Sequence, residues 1–166
     1  MEDSHRIKTW LNNALELERQ GMEFYETAAE DASDWVVSDF FSNMVAQERL
    51  HIKILEDIAR SYQKNGDFDW PDTSEMGPAG YSLKQMFSHM SQSLPQANED
   101  LIEAVEEGLK LENESLNFYN NARPFAVSQA EEKLLSILAE EEREHWQIFT
   151  DMLDFYKKSS PAASES

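Results

Sequence analysis

Cysteine is absent from the chain, and that absence removes several chemistries at once. Disulfides, iron–sulfur clusters, thiolate zinc sites and cysteine nucleophiles are excluded within these residues. Any metal must rest on oxygen and imidazole. Glycine and proline are scarce, five of each in 166 residues, which suits a helical protein rather than a strand-rich or disordered one. No apolar run approaches the ~18–20 residues needed to cross a bilayer. The opening stretch MEDSHRIKTW lacks a basic start followed by an apolar run, so no secretory signal is read there. A cytoplasmic location is the default expectation. Basic residues are few too: 14 Lys and Arg against 33 Asp and Glu leave a net charge of -19. That charge would repel nucleic acid, and it attracts cations, although solubility alone accounts for it.

The chain is long enough for one domain with a sizeable core, expected over residues 1–158. Apolar periodicity and breakers predict helices over about 4–31, 34–63, 98–122 and 128–158. Pro124 disfavours helix before it and stops the third. Ser128 and Glu131 have capping-box spacing and open the fourth. Residues 64–97, containing NGDFDWPDTSEMGPAGYS, are rich in Gly, Pro, Asp and Ser and read as a connection, with a short helix over 83–93. The tail 159–166 has nothing to bury and is expected to be disordered. Short links make helices one and two, and three and four, antiparallel neighbours. The long link can run the length of a bundle. The fold class is therefore all-α: a ferritin-like four-helix bundle, two antiparallel helix pairs joined by a crossover.

Carboxylates stand on the helical seams where leucines belong. The first seam reads Ile7, Leu11, Ala14, Glu18, Gly21, Tyr25, Ala28. The second reads Val37, Phe41, Met44, Glu48, His51, Leu55, Ile58. The third reads Leu101, Val105, Gly108, Glu112, Ser115, Tyr119, Ala122. The fourth reads Leu135, Leu138, Glu142, His145, Phe149, Met152. Each is an apolar stripe of the kind that packs into a bundle core. Four ionised carboxylates buried without partners would cost several kcal/mol each. Two divalent cations cancel the charge of Glu18, Glu48, Glu112 and Glu142 if His51 and His145 stay neutral, as ligation requires. One Glu on each of two helices, with Glu-x-x-His on the other two, is the di-metal carboxylate pattern of bundles. Oxygen with imidazole suits iron or manganese better than calcium or magnesium.

An internal repeat strengthens the assignment. ALELERQGMEFY from Ala14 aligns with GLKLENESLNFY from Gly108, and Glu18/Glu112, Glu48/Glu142 and His51/His145 keep the same offset of 94 positions. The second half reads as a copy of the first, with the site on a pseudo-twofold axis. Tyr25 and Tyr119 follow Glu18 and Glu112 by two turns. They are either core aromatics or hydrogen-bond donors to ligand carboxylates. His5 and His89 read as surface residues, and Glu140, Glu141 and Glu144 as a solvated face. Trp10, Trp35, Phe24, Phe40, Phe118 and Trp146 read as packing.

The segments LERQGMEFY, AQERLH, LENESLNFY and EEEREH, within about Ile7–Asp154, resemble the rubrerythrin-like branch of the ferritin-like superfamily. The resemblance implies that Glu18, Glu48, His51, Glu112, Glu142 and His145 ligate two iron ions, and that the chemistry is reduction of hydrogen peroxide or dioxygen. Rubrerythrin proper adds a rubredoxin domain whose cysteines hold an electron-feeding iron. With no cysteine here, an external electron-donor protein is implied. Rubrerythrin also carries a further glutamate where this chain has Ser115, the counterpart of Gly21. The symmetric six-ligand site that remains is also like that of bacterioferritin. That likeness keeps open a ferroxidase and iron-storage reading. Arg49 stands where bacterioferritin has its haem-ligating methionine, so no haem is expected. A dimanganese site, or a protein that binds metal without turnover, would use the same six residues. A homodimer is the base-rate expectation; nucleic acid and membrane are not expected partners.

Overall fold

The computed structural model describes residues 2–66, 71 and 83–159. Its helices are α1 (Glu2–Asp31), α2 (Trp35–Asn65), α3 (Leu83–Met90), α4 (Glu99–Ala122) and α5 (Gln129–Ser159), with a 3-10 turn at Arg123–Phe125. Among the described residues there is no strand. α1 packs along α2 and α4 along α5, α1 meets α4 on one face, and α3 rests on α5. This is the all-α bundle of two antiparallel pairs. Residues 67–70, 72–82 and 160–166, most of the crossover and nearly all of the tail expected to be disordered, lie outside the described residues.

Local chemistry sets the helix ends. Asp34 caps α2 by accepting from the Val36 N–H at 2.8 Å. Gly66, at φ 68, ends the same helix in the left-handed conformation, which glycine adopts without a Cβ penalty. Asn98 Oδ1 accepts from the Leu101 N–H at 2.8 Å and opens α4. Pro124 turns the chain into the 3-10 turn. Ser128 accepts from the Glu131 N–H at 3.1 Å, as the capping-box spacing suggests. The Glu131 carboxylate, however, reaches one residue further back, to the Val127 N–H at 2.8 Å.

Glu131 does more than cap. It is fully buried, takes both oxygens of an ion pair with Arg6 at 2.8 and 2.9 Å, and accepts from the Trp10 indole N–H at 2.9 Å. The start of α5 is thereby bound to the start of α1. Glu131→Gln turns one acceptor oxygen into a donor facing a donor. Thermal denaturation should show a loss of about 1–2 kcal/mol, with bound metal unchanged because the residue is remote from the site described below.

The core falls into two apolar clusters. One holds Tyr25, Phe40, Phe41, Met44, Phe149 and Tyr156; the other holds Leu11, Leu55, Ile58, Tyr119, Leu134 and Leu135. The two are related by the repeat, with Phe40, Phe41 and Phe149 replacing Leu134, Leu135 and Leu55. Along every long helix, the seam carboxylate stands between a stretch of one cluster and a stretch of the other. Trp35, read from the sequence as packing, is 76 % exposed. It is the first residue of α2, and its neighbours Val36 and Val37 take the inward positions.

Candidate metal centre

All six seam residues are brought together between the two clusters. α1 gives Glu18, α2 gives Glu48 and His51, α4 gives Glu112, and α5 gives Glu142 and His145. None is more than 3 % exposed. His51 Nδ1 lies 3.1 Å from Glu18 Oε2, 3.0 Å from Glu142 Oε1 and 3.7 Å from Glu48 Oε2. His145 Nδ1 lies 3.2 Å from Glu112 Oε2, 3.5 Å from Glu48 Oε1 and 3.8 Å from Glu142 Oε2. The histidine rings face each other 5.6 Å apart, within 13° of parallel.

These distances divide the carboxylates into two kinds. Glu48 and Glu142 each face both histidines, one oxygen to each. Glu18 and Glu112 each face one. Two four-residue pockets result, Glu18/Glu48/His51/Glu142 and Glu48/Glu112/Glu142/His145, sharing Glu48 and Glu142. Donors about 2.1 Å from a common ion are separated by about 3.0–3.4 Å at octahedral and tetrahedral angles. The shortest contacts here have that size. Glu142 Oε1 makes no hydrogen bond despite lying 3.0 Å from an imidazole nitrogen, as donors aimed at a common point would. The donor set and its spacing fit a pair of metal ions.

The tyrosines cross between the repeats. Tyr25 on α1 donates its hydroxyl to Glu112 Oε1 on α4, and Tyr119 on α4 donates to Glu18 Oε1 on α1. Each tyrosine thus holds the carboxylate of the opposite helix, which leaves that glutamate's other oxygen facing its histidine. Burial and the neighbouring Glu112 charge hold the Tyr25 hydroxyl well above its usual pKa, and burial with Glu18 does the same for Tyr119. Both stay protonated donors.

Without a cation, the cluster keeps protons. Burial and the Glu48 charge push Glu18 up to about 7. Burial and the charges of Glu18, Glu48 and Glu112 push Glu142 well up. Burial and the Glu112 charge push Glu48 upward too. Hydrogen bonds from Glu18, His145 and His51 outweigh them and hold it down, at about 2. Burial works against the charged form of both histidines, yet Glu18 beside His51 and Glu112 beside His145 raise them well above 6.5.

A family model described as Rubrerythrin matches residues 9–153. The chain belongs to the rubrerythrin family. Family membership and the buried carboxylate and histidine cluster together mark a metal-binding site. No curated protein and no solved structure gives a significant match. Unlike rubrerythrin proper, this member has no cysteine to build a rubredoxin-type iron centre within its 166 residues. No helix among the described residues is long and apolar enough to cross a membrane.

Of the remaining sequence readings, Glu140, Glu144, His5 and His89 are exposed as expected. Glu141 is not: it is 8 % exposed, although the AEEERE run reads as a solvated face. Trp10, read as packing alone, also donates to Glu131. No further cluster of His, Asp and Glu with metal-ligand spacing occurs among the described residues.

Proposed function

We propose that this protein is a non-haem diiron oxidoreductase that reduces hydrogen peroxide, with Glu18, Glu48, His51, Glu112, Glu142 and His145 as the iron ligands. The observation that carries the reading is the pair of pockets sharing Glu48 and Glu142. Glu48 and Glu142, common to both pockets, would let a pair of ions held there serve a two-electron reduction at one place. Bound iron would supply the electrons and a Lewis acid. Glu48 and Glu142 join the two pockets, Glu18 and Glu112 close their ends, and the four carboxylates balance two divalent charges. Tyr25 and Tyr119 fix the orientation of the end carboxylates, as partners behind ligands do elsewhere. The apolar clusters on either side keep bulk water from the centre. With no cysteine-based centre in the chain, re-reduction falls to an external electron-donor protein.

Stopped-flow oxidation of the anaerobic, Fe(II)-loaded protein tests the reaction. Hydrogen peroxide should oxidise it much faster than an equal concentration of dioxygen, with repeated turnover when a reductant is present. Faster oxidation by dioxygen, with uptake of more than two Fe(II) per chain, would replace this reading with ferroxidase and storage.

Protons must leave when metal enters. Burial and the neighbouring carboxylates raise Glu18 and Glu142, and the carboxylates raise both histidines, so the metal-free cluster holds protons more tightly than free side chains do, and ligation needs them off. Anaerobic Fe(II) titration at pH 7 in weak buffer should therefore acidify the solution, and affinity should fall as pH is lowered. An indicator dye reads the first effect, and no acidification at stoichiometric loading would count against these ligands.

A further inference from the structure

The repeat exposes a difference between the two halves of the bundle. At one end of the α1–α4 face, Trp10 and Arg6 close on Glu131. Their counterparts at the other end, 94 positions on or back, are Ala104, Asp100 and Val37. An indole has become a methyl group, a cation a carboxylate, and the carboxylate that held both has become a valine. All three counterparts line a groove of about 1040 Å³. What is a filled slot in one repeat is an open one in the other.

The groove has an apolar floor and an acidic rim. Phe24, Phe41, Val37 and Ala104 make the floor. Asp31, Asp34, Asp100, Glu103, Glu106 and Glu107 stand around it. The one cation among its described lining residues, Lys110, is paired with Glu107 at 3.4 Å. The rim charge is peculiar to this end, since Glu106 and Glu107 correspond to the neutral Asn12 and Asn13. The lining runs from Asn98, the cap of α4, to Lys110 on that helix, about 18 Å along its axis. That is the footprint of a polypeptide segment rather than of a compact small molecule. Within the chain itself, the central part of the crossover and the tail bring no positive charge. Residues 67–82 contain Asp67, Asp69, Asp72 and Glu75 with no Lys or Arg, and 160–166 contain only Glu165 among charged residues.

We propose that this groove docks a basic segment of a partner protein whose aromatic side chain takes the place Trp10 fills in the other half. An aromatic anchor ringed by cations would bury its ring against Phe24 and Phe41 and set its charges against the rim, the usual division between an interface core and its edge. The floor also communicates with the metal site. Phe41 stacks on Tyr25 with centroids 6.1 Å apart, and Tyr25 bonds to Glu112.

Fluorescence anisotropy with a labelled helical peptide tests the proposal. The peptide would be about twelve residues long, built from lysine and alanine around one central tryptophan. Ala104→Trp fills the floor without changing the charge, so it should weaken binding about tenfold. Replacing the peptide's tryptophan by alanine should cost as much against the unmodified protein and little against the variant. A glutamate version of the peptide should not bind. Equal affinity for the unmodified protein and Ala104→Trp would overturn the proposal, leaving only general attraction to an acidic surface. So would binding of the unmodified protein to its own kind at the groove, seen as a dimer that Ala104→Trp dissolves. If that variant fails to fold, Ala28→Leu on the opposite wall asks the same question.

Discussion

Glu112→Ala should take bound metal from two ions per chain towards one or none, measured by elemental analysis after anaerobic loading. Glu112 belongs to one pocket only, where its Oε2 faces His145 at 3.2 Å. Its removal takes away one of four donors and one of the four negative charges that two divalent cations require. It also strands the Tyr25 hydroxyl, which would be buried with no acceptor. Changes merely behind ligands typically cost 10–100-fold in metal affinity, and loss of a ligand should exceed that. The pseudo-twofold relation makes the same demand of Glu18, whose pocket shares Glu48 and Glu142 with the first. Glu18→Ala should therefore lose metal comparably. Glu114→Ala, an exposed neighbour on the same helix, should leave the content unchanged. Retention of two ions in either seam variant would remove the central assignment.

The residues gathered at the site were legible because they break a pattern. A glutamate on an apolar seam is conspicuous, and four of them in register with two histidines and a 94-residue repeat leave little else to explain. Which group meets which across the bundle was not legible. Tyr25 shares a seam with Glu18, yet helical side chains lean towards the N-terminus of their own helix. Its ring thus returns to the carboxylate layer, where it meets Glu112 on α4. Heptad phase says which way a residue faces, not what stands opposite. The same limit hid the Arg6–Glu131–Trp10 clamp, in which Glu131 lies more than 100 residues from both of its partners. Trp35 went astray for a different reason. At the first position of a helix the seam has barely begun, and Asp34 sets the entry so that Val36 and Val37, not Trp35, turn inward. The open groove at Ala104 could be read only once the filled slot at Trp10 had been seen.

The second large effect concerns a glycine in the middle of α4. Gly108→Ala should destabilise the protein by about 3 kcal/mol, roughly a 10 °C fall in Tm for a chain of this size. On helix propensity alone the change should help, by about 1 kcal/mol. The obstacle is Phe149, whose ring atoms stand well inside van der Waals reach of any Cβ built at 108. That ring has little room to move, being fully buried, stacked on Tyr25 at 5.6 Å and packed edge-on against Phe40 at 5.4 Å. The first repeat shows the alternative solution: Ala14 stands where Gly108 does, and Leu55 where Phe149 does. Phe149→Leu introduced with Gly108→Ala should therefore recover much of the loss, and the double-mutant cycle should show a favourable coupling of more than about 1 kcal/mol. Additive effects would mean that the glycine is not there for the ring. Because Phe149 bears on Tyr25, and Tyr25 on Glu112, the single variant should also loosen metal binding, and the double variant should restore it. That links a packing choice made one turn away to the geometry of the metal site.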